Sequence, residues 1–102
     1  MAELYHPERH HLQLETVLAA LGDPIRLAIV RELAASGETY CSAIETGAPK
    51  STLTRHWRVL REGGVVQRRP AGRKAYVRLR REDLEARFPG LLDTVLAADA
   101  RR

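Results

Sequence analysis

At 102 residues the chain amounts to one domain with a modest core, and 44% hydrophobic residues argue against wholesale disorder. No apolar run reaches the roughly 20 residues needed to span a bilayer. Residues 1–7 lack the basic start and apolar stretch of a secretion signal, and a single cysteine, Cys41, excludes an internal disulfide, so a cytoplasmic protein is expected.

Residues 1–10 are polar, hold a proline and read as a flexible arm, with residues 11–102 forming the domain proper. Leu14, Val17, Leu18 and Leu21 then recur at i, i+3, i+4 and i+7, which predicts an amphipathic helix ended by Gly22. Asp23-Pro24 restarts the chain, because Asp caps a helix well and Pro suits its first position. The following helix is apolar on more than one side and closes at Ser36-Gly37. Residues 38–46 predict an extended entry and one or two helical turns, and Gly47-Ala48-Pro49 a turn. Residues 51–62 predict the next helix, with Ser51 as its cap and Gly63-Gly64 as its stop. Two β-type runs, 65–69 and 74–79, flank Pro70-Ala71-Gly72-Arg73 and read as a hairpin. A last helix starts near Glu82, is interrupted at Pro89-Gly90, and carries Leu91, Leu92, Val95 and Leu96 on its apolar face.

The order α-α-α-α-β-β-α is mainly α (α+β). A basic helix behind a short helix and tight turn, with a basic hairpin after it, is a winged helix-turn-helix layout. Charge supports it. The net value of +4 hides an asymmetry: from Lys50 to Arg81 eleven Lys and Arg stand against one acid, Glu62, while the flanks are acidic. A merely solvated surface mixes both signs, so this one-sidedness points to a polyanion.

On the 51–62 helix, at about 100° per residue, Trp57 and Leu60 fall within roughly 40° of Leu53 and form a buried stripe. Ser51, Thr52, Thr54, Arg55 and Arg58 are left as candidate contacts to duplex DNA. Small hydroxyl residues allow close approach, and Arg forms a paired contact to guanine. His56 flanks the stripe, placed either against a phosphate or against a neighbouring helix. The hairpin adds Arg68, Arg69, Arg73, Lys74 and Tyr76 as candidate backbone or minor-groove contacts, although a strand tyrosine is as often a packing residue.

Three blocks, ALGDPIRLAIVREL (20–33), KSTLTRHWRVLREGGVV (50–66) and RRPAGRKAYVRL (68–79), resemble the ArsR/SmtB family of bacterial transcriptional regulators. The resemblance covers the chain from about residue 12 onward. Ser51, Thr54 and His56 match the family's hydroxyl, hydroxyl, histidine pattern, while Trp57 replaces its more usual leucine. The resemblance implies a homodimer joined through the first and last helices, here at Leu14, Val17, Leu18, Leu21, Leu91, Leu92, Val95 and Leu96. It also implies a palindromic operator, repression, and release of DNA by an effector.

Many such relatives sense metals, through clustered cysteines near the third helix or histidines on the last. Here only Cys41 stands at the first place, and no histidine follows Glu82. Cys41 with His6, His10 and His11 could assemble a site, but a zinc site wants about four ligands in fixed geometry. A solvated arm and a packed Cys41 are the favoured reading, so no cofactor is expected. Thiol oxidation at Cys41 is a further option, requiring a lowered pKa and exposure. Enzyme motifs are missing: there is no phosphate loop, no His-Glu-x-x-His and no Gly-x-Ser-x-Gly. The rival reading is a winged-helix module for RNA or protein. A protein-binding version would expose apolar residues on the outward helix face, and an RNA reader would need more than five per cent aromatics.

Overall fold

The computed structural model of the chain describes residues 4–101; Met1 to Glu3 of the expected arm, and Arg102, lie outside the described residues. A 3-10 turn (Arg9–His11) leads into α1 (Leu14–Leu21) and α2 (Pro24–Ser36). Then come β1 (Thr39–Tyr40), a second 3-10 turn (Cys41–Ala43), α3 (Lys50–Glu62), β2 (Val66–Ala71) and β3 (Lys74–Leu79). Two helices, α4 (Arg81–Arg87) and α5 (Leu91–Ala100), close the chain. The strands form an antiparallel sheet in the order β1-β3-β2.

Asp23 caps α2 as its position before Pro24 predicts: Oδ1 accepts from Ile25 N at 2.8 Å and Arg26 N at 3.1 Å. Desolvation opposes its ionisation, yet these two N–H donors and the Arg26 charge together hold its carboxyl below the usual range. A cap of this kind contributes about 0.5–2 kcal/mol.

The details differ from expectation where tertiary pairing overrides local pattern. The extended entry and helical turn expected over 38–46 are present as β1 and one 3-10 turn, so the third α of the expected order is not an α-helix. Thr39 and Tyr40 pair with Val77 and Tyr76, and Thr46 Oγ1 accepts from Ala48 N just before Pro49, which disfavours helix at Ala48. Helix α3 begins at Lys50, with Pro49 rather than Ser51 at its cap position. The hairpin is tighter, because Ala71 pairs with Lys74 and leaves a two-residue turn with Gly72 at φ 64°. Pro89-Gly90 splits the final helix in two.

One core unites these elements. Val17 and Leu21 of α1, Ile29, Val30 and Leu33 of α2, Trp57 and Leu60 of α3, and Val66, Val77 and Leu79 of the hairpin are buried together. Each such side chain contributes roughly 1.5–3 kcal/mol against leaving it in water. Leu84 and Leu92 extend the core under α4 and α5. Arg31 of α2 pairs with the buried Asp99 of α5 at 2.5 Å, fixing the last helix.

The segment read as a loose arm is seated, from residue 4 onward, against the far ends of α3 and the hairpin. Arg61 donates to Tyr5 O at 2.6 Å, Arg80 to Pro7 O at 2.6 Å, and Arg68 N to His6 Nε2 at 3.0 Å. Leu12 is 1% exposed and presses on Gly64, where a Cβ would lie 2.0 Å from Leu12 Cδ2. With φ at 84°, only glycine fits there without strain.

Candidate nucleic-acid interface

Helix α3 divides as its sequence pattern predicts. Trp57 is 6% exposed, Leu60 fully buried and Leu53 of the same stripe only half-buried, whereas Ser51, Thr52, Thr54, Arg55 and Arg58 are exposed. Thr54 turns its hydroxyl back to donate to Lys50 O at 3.1 Å, leaving its lone pairs outward. The first turn of α3 carries no acid, and Lys50 stands there instead. Backbone N–H groups and a cation therefore share that end, an arrangement suited to phosphate.

His56 departs from the assigned DNA face. It is 5% exposed, and its Nδ1 lies 3.0 Å from Arg26 Nη1. Because guanidinium is only a donor, Nδ1 accepts and a neutral ring carries its proton on Nε2. Arg26 also donates to Ala20 O at 2.7 Å and Ala19 O at 3.2 Å, tying α3 to the end of α1. Arg26 was not singled out from the sequence. Its place one residue after the Pro24-Ile25 start of α2 gives no local hint of a partner thirty residues away.

The wing residues also separate. Arg73 sits in the tip turn, exposed, with Lys74 beside it, and Lys74 Nζ lies 4.5 Å above the Tyr40 ring. Tyr76 donates its hydroxyl proton to Tyr40 at 2.7 Å and stacks on it with centroids 4.3 Å apart, which raises its pKa. Tyr76 thus joins β1 to β3 rather than offering a phosphate donor. Arg69 covers the other side of this pair, 4.6 Å from the Tyr76 centroid, and reaches Glu38 at 3.3 Å. Arg68 points to the opposite face of the hairpin, toward α3. Among the described residues, Lys50, Arg55, Arg58 and Arg73 have no acid within ion-pairing distance.

The residues considered for a metal do not converge. His6 is held between Arg68 N and Leu4 O, and Cys41 lines the groove beside α3. His10 and His11 lie instead near Glu8, all three exposed, with ligand atoms within 4.8 Å of one another. Burial pushes the Cys41 thiol above its ordinary pKa, against the pull of the Arg68 charge and hydrogen bond. That is the reverse of what a reactive thiolate needs.

The residues assigned to a dimer face divide as well. Val17, Leu21 and Leu92 belong to the core of the single chain; Leu91, Val95 and Leu96 are half-buried; Leu14 and Leu18 are each 45% exposed. Among the described residues no helix is long and apolar enough to cross a membrane.

A three-helix core, a tight turn leading into a basic helix, and a basic hairpin beside it define a winged helix-turn-helix protein. Residues 21–69 match the model of a helix-turn-helix domain family. An uncharacterized HTH-type transcriptional regulator of Bacillus subtilis (strain 168), YceK, is 37% identical over 82 residues, 78% of this chain and 82% of its own length. The transcriptional repressor BigR from Xylella fastidiosa superposes with a TM-score of 0.65 at 29% identity, over 83% of this chain and 84% of its own. An ArsR family transcriptional regulator shares the fold, with a TM-score of 0.62 at 19% identity, over 95% and 94% of the two chains. The chain belongs to the HTH-type transcriptional regulators, in a winged helix-turn-helix fold. It is a DNA-binding regulator and not an enzyme.

Proposed function

We propose that the protein is a homodimeric repressor that reads a palindromic operator and leaves it when an effector binds. The observation that carries this reading is a cluster of exposed cations without acidic partners among the described residues, Lys50, Arg55, Arg58 and Arg73, spread over one end and the outer face of α3 and the wing tip. In this reading Arg55 and Arg58 meet base edges, and Ser51, Thr52 and Thr54 allow close approach. Lys50, Arg73 and Lys74 neutralise phosphates. Leu14 and Leu18, one turn apart and exposed on α1, support pairing of two copies, with the half-buried Leu91, Val95 and Leu96 of α5 beside the same core. Two α3 helices one duplex turn apart then read the half-sites. Repression follows the likeness to BigR, and cytoplasmic residence follows from the DNA target.

Selection from a pool of random duplexes with the purified protein tests the reading. The expected product is an inverted repeat with half-sites about 10 base pairs apart, centre to centre. Recovery of no common sequence, or a preference for single-stranded RNA over duplex, would overturn it.

A further inference from the structure

Between α3 and the hairpin lies a groove of about 470 Å3, within the range of ordinary small-molecule sites. Leu53, Trp57 and Ala75 supply apolar walls, and Lys50, Arg68 and Arg73 supply cations. Arg68 is the unusual member. Alternation along the strands sets Val66 and Arg68 opposite Leu79 and Val77, on the face that covers the core. It is the charged side chain on that face. Its Nε is, among the described residues, the buried side-chain nitrogen or oxygen with no hydrogen-bond partner, the guanidinium's contact with the Cys41 thiol leaving it unmet. Such a donor is costly to leave unmade. The neighbouring Cys41 brings no negative charge, since burial keeps it a thiol.

We propose that this groove binds an organic anion, a carboxylate or sulfonate carried on a flat apolar body, and that its occupancy excludes duplex DNA. The acid meets Arg68, and the apolar body lies against Leu53 and Trp57. An inorganic anion would satisfy the first contact and leave the second unused. The exclusion rests on the DNA reading above, because Lys50, Thr54 and Arg73 line this groove and belong to the surface assigned to the duplex.

Trp57 is the chain's single tryptophan, so its emission reports the groove directly. The probe is 1-anilinonaphthalene-8-sulfonate, compared with the uncharged N-phenyl-1-naphthylamine, which lacks only the sulfonate. Energy transfer from Trp57 to the sulfonate dye should saturate at one dye per chain, with the uncharged dye at least about tenfold weaker. Arg68→Met should weaken the sulfonate dye by a similar factor, leave the uncharged dye unchanged, and raise the urea midpoint of the protein. Ala75→Leu, which fills the groove and keeps Arg68, should weaken both dyes and decides the matter if Arg68→Met fails to fold. Equal affinity for the two dyes, an unchanged sulfonate affinity in both variants, or equal displacement of the dye by the same concentration of sodium sulfate would overturn the site. Saturating sulfonate dye should also release a labelled selected duplex; undiminished duplex binding would overturn the exclusion. Absence of duplex binding in the first place would count against the regulator reading, and the dye titration would still decide the groove.

Discussion

Arg26 Nη1 and His56 Nδ1 lie 3.0 Å apart, and this contact joins α3 to α2. The same guanidinium holds Ala19 O and Ala20 O, so one side chain fixes three helices. Arg26→Ala should lower stability by roughly 1–3 kcal/mol, because it strands two carbonyls and a ring nitrogen. Arg26→Lys, with a single charged head, should recover part of that. Urea unfolding of both variants is the check, and a loss equal in the two would mean that the forked donors matter and the charge does not.

Arg55→Ala and Arg58→Ala should each cost about 1–3 kcal/mol on the selected duplex and relax the base preference. Lys50→Ala and Arg73→Ala should instead weaken all duplexes alike and reduce the salt slope by about one each. Titrations at several salt concentrations separate the two groups. If Arg55 and Arg58 can both be lost without effect, α3 is not the reading helix.

Leu14→Glu and Leu18→Glu change exposed positions and should alter the stability of the single chain by no more than about 0.5 kcal/mol, while shifting a dimer to monomer. Val17→Glu buries a charge in the core and should unfold the chain. Sedimentation of the first two beside a denaturation curve of the third distinguishes an assembly face from a packing face.

His6 is titratable where the N-terminal segment meets the hairpin. Desolvation, with the charges of Arg61 and Arg80, holds its pKa below the ordinary 6.5 despite the bond to Leu4 O. The neutral ring is the one that accepts from Arg68 N. Its contribution to stability is therefore complete above 6.5 and is lost as pH falls through the lowered value. Between about pH 7.5 and 5.5 the native protein should lose more urea resistance than His6→Gln, which titrates nothing there. Parallel losses would remove His6 from the account.

The two glycines with positive φ around the hairpin should respond unequally. Gly64→Ala meets both a left-handed backbone and Leu12 Cδ2 at 2.0 Å, and should cost about 2–4 kcal/mol. Gly72→Ala, with φ at 64° and nothing within 4 Å, should cost about 1 kcal/mol. Thermal unfolding ranks them.

What the sequence disclosed is what is local. The limits of α1, the Asp23-Pro24 start and the split faces of α3 follow from a period of 3.6 residues and from capping chemistry within one turn. The fate of His56 does not, because a ring on the flank of a stripe goes inward only if a distant donor awaits it. Tyr76 likewise depends on Tyr40, and the seating of residues 4–8 on bonds spanning 56 to 73 positions. The divergence of Arg68 from Arg69 was open to the period-2 rule, which sends neighbours to opposite faces of a strand. Reading the pair as one basic unit concealed it.

Strand β2 is the outer edge of the sheet, with β3 on its only paired side. An open edge invites a strand from another molecule. Here Arg68 N is taken by His6, and Pro70, two residues on, has no N–H to give. The ribbon thus presents little to which a second ribbon could add, and a crowded solution of this protein should stay free of sheet-to-sheet aggregates for as long as residue 6 keeps its place.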